Sequence, residues 1–345
     1  MRTLLLAVLS LSTPAFAGTY IVDAAGGGDF TDIAPAIAFA SPGDVLLIQP
    51  GTYGAFTLDK RLVLLGQGTG PKRVTGLALV ENVHTGNCAV LAGLTFESWL
   101  AVRNCTRPIV FDRVTSPTGL GIDTVSDLRC YGSSISGGVT PLFWSSVKAA
   151  VAVREARAEF VESQIAGFKG LDIYEWGTPG DGGDGVYTAA NAHLHFARSS
   201  VWGGAAGFDL AGAQGSGDGG TAVSVHALAT ALISGTSTDM FTGGSDDSWS
   251  GSSLSAAGSV RHSAVNFATW YWAPALQTAT PDDPTLYFVG VPVPGVTTTF
   301  RVAAPPGSLV ELRMGRNPIV SDVPGLAEDV LVTPQRKFDL GQVGG

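Results

Sequence analysis

One phrase recurs through the middle of this chain: an apolar strand, two or three small or polar residues, a β-branched or aliphatic residue, then Gly or Ser. It runs over Val90 to Phe96, Val110 to Ser116, Leu128 to Gly137, Phe160 to Gly167, Phe196 to Gly203 and Leu228 to Gly235. Aligned on the aliphatic anchors Leu94, Val114, Ile135, Ile165, Val201 and Ile233, the spacings are 20, 21, 30, 36 and 32 residues. The shortest is one bare coil, and the longer ones are that coil with Gly, Ser, Asp and Thr inserted as loops. A leucine-rich horseshoe needs a Leu-x-x-Leu-x-Leu ladder, a propeller a Trp-Asp signature and a left-handed coil a strict six-residue repeat. None is present. What remains is an all-β, right-handed parallel β-helix of three short strands per turn. Each strand pairs with its counterpart one turn away, and inward aliphatics stack into ladders. On this reading Ile135, Ile165, Val201 and Ile233 share one column.

Composition agrees. Gly numbers 46 in 345 residues and charged side chains make up only 14%, which suits many tight turns between short strands rather than a helical bundle. Residues 1–17 read as a secretory signal peptide: Arg2, the apolar stretch Leu4 to Leu11, then Ala15-Phe16-Ala17 as a cleavage pattern. Without it the chain carries 19 basic and 29 acidic residues, a net charge of −10, so nucleic acid is excluded as a partner. The apolar stretch is shorter than the roughly 20 residues needed to span a bilayer. The expectation is therefore a secreted, extracellular or cell-envelope (periplasmic included) monomer without membrane insertion. Cys88, Cys105 and Cys130 show no zinc spacing and read as small buried hydrophobes stacked in successive coils.

An open stack must cap its ends. Phe30, Ile33, Ile37 and Ala40 recur at helical spacing, with Thr31 as the expected N-cap and Pro42-Gly43 as the stop. Strands at Asp44 to Gln49 and Leu62 to Leu65 follow. The run from Gly27 to Gly68 (GGDFTDIAPAIAFASPGDVLLIQPGTYGAFTLDKRLVLLGQG) resembles the N-terminal cap and first coil of the pectin-lyase-like superfamily, through Asp29, Phe30, Ile33, Gly43, Asp44, Ile48, Gly51, Tyr53, Leu64 and Gly66 among others. The remainder agrees only in its loose coil pattern, so the resemblance speaks for fold more than for activity. After Pro281-Asp282-Asp283-Pro284, strands at Leu286 to Gly290, Thr298 to Ala303 and Leu309 to Met314 suggest a small all-β C-terminal module over 285–345, or a further cap of the same helix. It ends soon after a strand-like segment, which allows for an incomplete module.

The superfamily implies where chemistry would sit. The nearest match to the pectin methylesterase aspartate phrase is Ala206-Gly207-Phe208-Asp209-Leu210, which lacks the following aromatic and glycine. A polygalacturonase would need Gly-His-Gly after its aspartate pair, and none follows Asp246-Asp247. A lyase would need calcium on carboxylates and an Arg or Lys as base. Asp181, Asp184 and Asp218 lie in glycine loops 37 residues apart, near one looped coil, so they are the expected metal residues, with Asp172, Glu175 or Asp209 beside them. Arg154, Arg157 and Arg198 are nearby cations, and His193 and His195 share a strand face. Pyranose rings stack on aromatic side chains, so Trp176, Trp202, Trp270 and Trp272 with Arg198 are the expected carbohydrate contacts. Turn geometry alone also explains the Asp-Gly loops. Three functions stay open: a binder of surface or extracellular polysaccharide without a catalytic constellation, a calcium-dependent lyase or hydrolase of acidic polysaccharide, and a structural or adhesive envelope protein.

Overall fold

The computed structural model describes residues 17–86, 88–137, 148–172, 180–208, 217–234, 240–244, 251–263, 266–267, 271–272, 276–278, 285–289, 299–303, 309–314 and 336–342. The residues read as a signal lie outside this set apart from Ala17. The body is a parallel β-helix. Three sheets of eleven, nine and nine strands are assembled from every third strand of the chain, the first sheet having the strand Thr19–Val22 added at its edge. Each coil passes through the first, second and third sheet in turn, and every pairing between coils is parallel. No helix among the described residues is long and apolar enough to cross a membrane.

Alternation along each strand builds the core. Strand Ser200–Trp202 buries only its middle residue, Val201, and that residue pairs with Ile165, which pairs with Ile135. This column of the second sheet continues through Phe241 to Phe267. Ile233 does not belong to it. The phrase Leu228 to Gly235 covers only the first-sheet strand Thr230–Ser234, and the next second-sheet strand is Met240–Thr242. Ile233 instead extends a first-sheet column of Phe111, Cys130, Phe160 and Phe196. Leu94 and Val114, aligned with these residues as repeat anchors, sit at the corner before the second-sheet strands and lie off this column.

That first corner keeps one length through the middle coils because its geometry repeats. Gly93, Arg113, Gly132, Glu162 and Arg198 all take positive φ, between 49° and 65°. Just after them, Ser133, Ser163 and Ser199 are buried and form a ladder. Each hydroxyl accepts from the N–H of the corner residue one coil before: Val114 at 3.2 Å, Ser133 at 3.2 Å and Ser163 at 3.0 Å. The hydroxyls in turn donate to carbonyls such as Tyr131, Val161 and Ala197, so these buried polar groups are satisfied.

The N-terminal cap is the helix Ile33–Phe39, with Ile33, Ala36 and Ile37 buried against strands Thr19–Val22, Val45–Ile48 and Phe56–Leu58. Its N-cap is Asp32, not Thr31: Asp32 Oδ1 accepts from the Ile33 N–H at 2.7 Å and also from Gly54 N–H at 3.2 Å, tying the helix to the first coil. The two early strands fall at Val45–Ile48 and Val63–Gly66, within a residue of expectation. Cys105 and Cys130 are buried free thiols, and Cys88 is a partly exposed one. Burial lifts the Cys130 thiol far above its ordinary range. Toward the C-terminus the strands Thr285–Val289 and Thr299–Ala303 pair antiparallel, as do Leu309–Met314 and Arg336–Gln342. The linker Pro281 to Pro284 lies outside the described residues.

Candidate functional site

From strand Ser134–Gly137 onward the coils lengthen at the corner between the second and third sheets. There the chain runs past the end of a second-sheet strand and returns to the next third-sheet strand through glycine-rich segments. The outgoing layer holds 167–171, 203–207 and 243–244; the returning layer holds 180–185, 217–221 and 251–253. Most of these residues belong to no strand or helix. Their backbone groups bond to neighbouring segments rather than within a segment. Gly183 N–H donates to Phe168 O at 2.9 Å, Gly204 N–H to Gly183 O at 2.7 Å, Gly220 N–H to Gly204 O at 2.8 Å and Gly244 N–H to Gly220 O at 2.8 Å. Three residues along, the pattern repeats: Gly180 donates to Leu171 O, Gly207 to Gly180 O and Gly217 to Gly207 O.

A period of three with all bonding directed outward is the arrangement of packed polyproline II-type chains. Glycine is required for close approach, not for a left-handed turn, since none of these glycines has φ between +20° and +160°. A Cβ on Gly204 would run into the Phe168 carbonyl, one on Gly220 into that of Gly183, and one on Gly244 into that of Gly204. The two layers therefore pack backbone to backbone as a slab continuing the second and third sheets beyond the aliphatic core.

The predicted metal residues sit on this slab. Asp181 Oδ1 accepts from the Asp218 N–H at 3.1 Å, and Asp184 Oδ1 accepts from the Thr221 N–H at 2.8 Å. The 37-residue separation thus does place Asp181 and Asp218 on neighbouring coils in register. The Asp181 and Asp184 carboxylates tie one coil to the next. Among the described residues no group of three or more His, Cys, Asp or Glu side chains is placed to hold a metal ion. A hard cation such as calcium takes six to eight oxygens, and two carboxylate oxygens here already accept from backbone N–H groups. Asp172 is likewise engaged, with Lys169 at 2.6 Å and the Phe208 N–H at 3.0 Å. Glu175, Asp209 and the Asp246-Asp247 pair lie outside the described residues.

Burial pushes the Asp184 carboxyl up to about 6, and the Thr221 N–H only partly offsets this. The folded chain therefore holds this proton up to pH ~6, whereas an unfolded chain releases it near its ordinary value of 3.8. Between those values the native state binds more protons, so stability falls as pH rises through that window. Asp184→Asn, whose amide oxygen can still accept from Thr221, is expected to remove the fall and stabilise the fold above pH 6 by on the order of 2 kcal/mol. Melting curves at pH 4 and 7 check it: equal pH dependence in variant and parent would refute the assignment.

Of the predicted aromatic contacts, Trp202 is placed in full. It is the last residue of strand Ser200–Trp202, partly exposed on the outer face of the second sheet, immediately before the slab. Its neighbours in the same outward column are Ala166 and Thr242. The adjacent outward column carries Thr115, Ser134, Gln164, Ser200 and Met240. Arg198 stands at the positive-φ corner leading into the same strand, paired with Glu162 of the preceding coil at 3.1 Å. Trp272 is in register with Ser255 on the last described third-sheet strand, while Trp176 and Trp270 lie outside the described residues. Arg154 is bound bidentately to Asp123 at 2.8 and 2.7 Å, within an outward row that also pairs Arg103 with Glu81. His193 lies beside Thr230 at 2.8 Å, and His195 beside Glu159 at 3.1 Å.

These features define an all-β solenoid with an open outer sheet face and a glycine slab at one corner. No protein-family model, curated protein or solved structure matches the chain.

Proposed function

We propose that the chain is an exported right-handed β-helix of the pectin-lyase-like kind whose outer second-sheet face binds an extracellular polysaccharide. One observation carries this reading: Trp202 lies on the outer sheet face between the short side chains of Ala166 and Thr242, beside a column of hydroxyl and amide groups. A pyranose ring needs such a combination, an open aromatic surface with donors and acceptors in reach. The platform is stiff, because its strands are bonded on both sides and the slab behind Trp202 has almost no side-chain freedom to lose on binding. Charge speaks for a neutral glycan. The outward neighbours Gln164, Ser200 and Thr242 are uncharged, and Arg198 is balanced by Glu162. The carboxylates of Asp181 and Asp184 already accept from the next coil, which favours binding over calcium-dependent lyase chemistry.

Trp202→Ala is expected to weaken binding to a retained polysaccharide about tenfold, a loss of ~1.4 kcal/mol, with the fold intact. Affinity electrophoresis in gels containing neutral or uronate polysaccharides measures it. Unchanged retention of the variant, or retention by uronate gels alone, would remove this reading. Growth of ultraviolet absorbance from unsaturated products in the same samples would favour the lyase instead.

A further inference from the structure

The outer face of the first sheet brings three side chains from three successive coils into one line. Glu159 lies in strand Arg157–Val161, His195 in His193–Ala197, and Ser234 ends Thr230–Ser234. Parallel register sets Glu159 directly beside His195, and Ser234 beside Ala197, two residues along from His195. His195 Nδ1 is 3.1 Å from Glu159 Oε1, and His195 Nε2 is 3.3 Å from Ser234 Oγ. The His195 and Glu159 side chains are 18% and 14% exposed, screened from bulk water yet reachable.

The order of contacts decides the tautomer. An Nδ1–H donated to the carboxylate leaves the Nε2 lone pair facing the hydroxyl, the arrangement that activates a serine. Burial works most strongly against the Glu159 charge, but the hydrogen bond to His195 and the electrostatic pull of the groups around it together outweigh burial. Arg129, with Nε at 3.8 Å, and Arg157 are among those groups, so the carboxyl is held below its usual range. The hydroxyl's other acceptor is the Phe196 carbonyl at 3.3 Å, so turning one hydrogen switches Ser234 between resting and reacting positions. Nothing in the glycan-binding reading uses these residues, which lie on a different sheet from Trp202.

We propose that Ser234, His195 and Glu159 form a hydrolytic triad that cleaves small carboxylic esters of alcohols. As Ser234 Oγ bonds to the acyl carbon, His195 Nε2 takes the hydroxyl proton. The alkoxide departs as the C–O bond breaks and leaves with that proton as the alcohol. Water then attacks the acyl-serine, giving a proton to Nε2, and Oγ departs and recovers it as the free acid is released. No oxidant, metal or cofactor enters the balance. The acyl group must be small, because the column running back from Ser234 is filled by Ala197 and Val161, buried at 2% and 1% exposure.

The test uses the whole exported chain, a fluorophosphonate probe and p-nitrophenyl acetate. Peptide mapping should place the probe on Ser234, and Ser234→Ala and His195→Asn should each abolish labelling and cut turnover about 100-fold or more. Glu159→Gln should lower kcat with little change in KM, which a merely structural contact would not do. His193→Gln, on the same strand face, should leave both readouts unchanged. Ser234→Cys guards against a misfolded alanine variant: it should exchange fluorophosphonate labelling for iodoacetamide labelling at the same position. Probe on another residue, no probe at all, or full turnover in a folded Ser234→Ala would overturn the triad. Trp202→Ala should leave labelling intact, so failure of the glycan reading is seen separately.

Discussion

Gly204→Ala should be among the most damaging single-methyl additions in this chain, destabilising it by more than about 3 kcal/mol, beyond the usual cost of an overpacked core. Gly204 sits in the outgoing layer of the slab with neighbours on several sides. Its N–H donates to Gly183 O, its own carbonyl accepts from Gly220, and its Cα faces the Phe168 carbonyl and the Gly167 backbone. A flexible side chain could swing away from a new methyl, but every obstacle here is backbone held by hydrogen bonds. Moving it would break bonds to three segments at once. Gly26→Ala is the informative comparison. It meets nothing within 4 Å, and its cost is confined to a positive φ of 89°, worth ~1–2 kcal/mol. Thermal melting of both variants beside the parent measures the difference. If Gly204→Ala melts no lower than Gly26→Ala, the slab is not packed backbone on backbone.

The solenoid was legible from the sequence because burying one residue in two along short strands leaves a visible pattern. Ile135, Ile165 and Val201 fell in one column as read, since the first corner keeps its length through those coils. Ile233 was misassigned for a definite reason: it is the counterpart of Phe196, and the true continuation, Phe241, lies eight residues after it where Val201 lies five after Phe196. The cap helix was legible from its apolar period, but two acceptable cap residues stand side by side, and only the bond to Gly54 explains why Asp32 is used. The slab left a trace that went unread. Gly180 and Gly183, Gly204 and Gly207, and Gly217 and Gly220 are spaced by three, a period usually masked by the association of Gly with turns. The line of Glu159, His195 and Ser234 left none. Their separations of 36 and 39 residues carry meaning only once insertion lengths fix which coil neighbours which.

That dependence of each coil on its neighbours makes Phe196→Ala a sharper experiment than an ordinary core truncation. Phe196 is fully buried, stacked on Phe160 at 5.5 Å with rings 16° apart, and meets the edge of Phe241 at 5.7 Å. It links one coil to the coil before and, across the core, the first sheet to the second. Removing it should cost about 3–5 kcal/mol, transfer of the ring plus the cavity left behind. In a stack where coils touch only their neighbours, stability is a sum of coil terms and interface terms, so the loss falls on the interfaces around His193–Ala197. The coils before it, from Thr19 through Tyr131, keep the earlier stretch of the same column, Leu46, Leu64, Leu91 and Phe111, and the helical cap. Calorimetry of the variant should therefore show the parent transition divided in two, the early coils melting near the parent temperature and the later ones well below it. Hydrogen exchange should show protection retained at Ala89–Ala92 and lost at Thr230–Ser234. A single transition lowered uniformly across both regions would mean that the solenoid folds as one unit, with coupling between coils stronger than any one aromatic contact supplies.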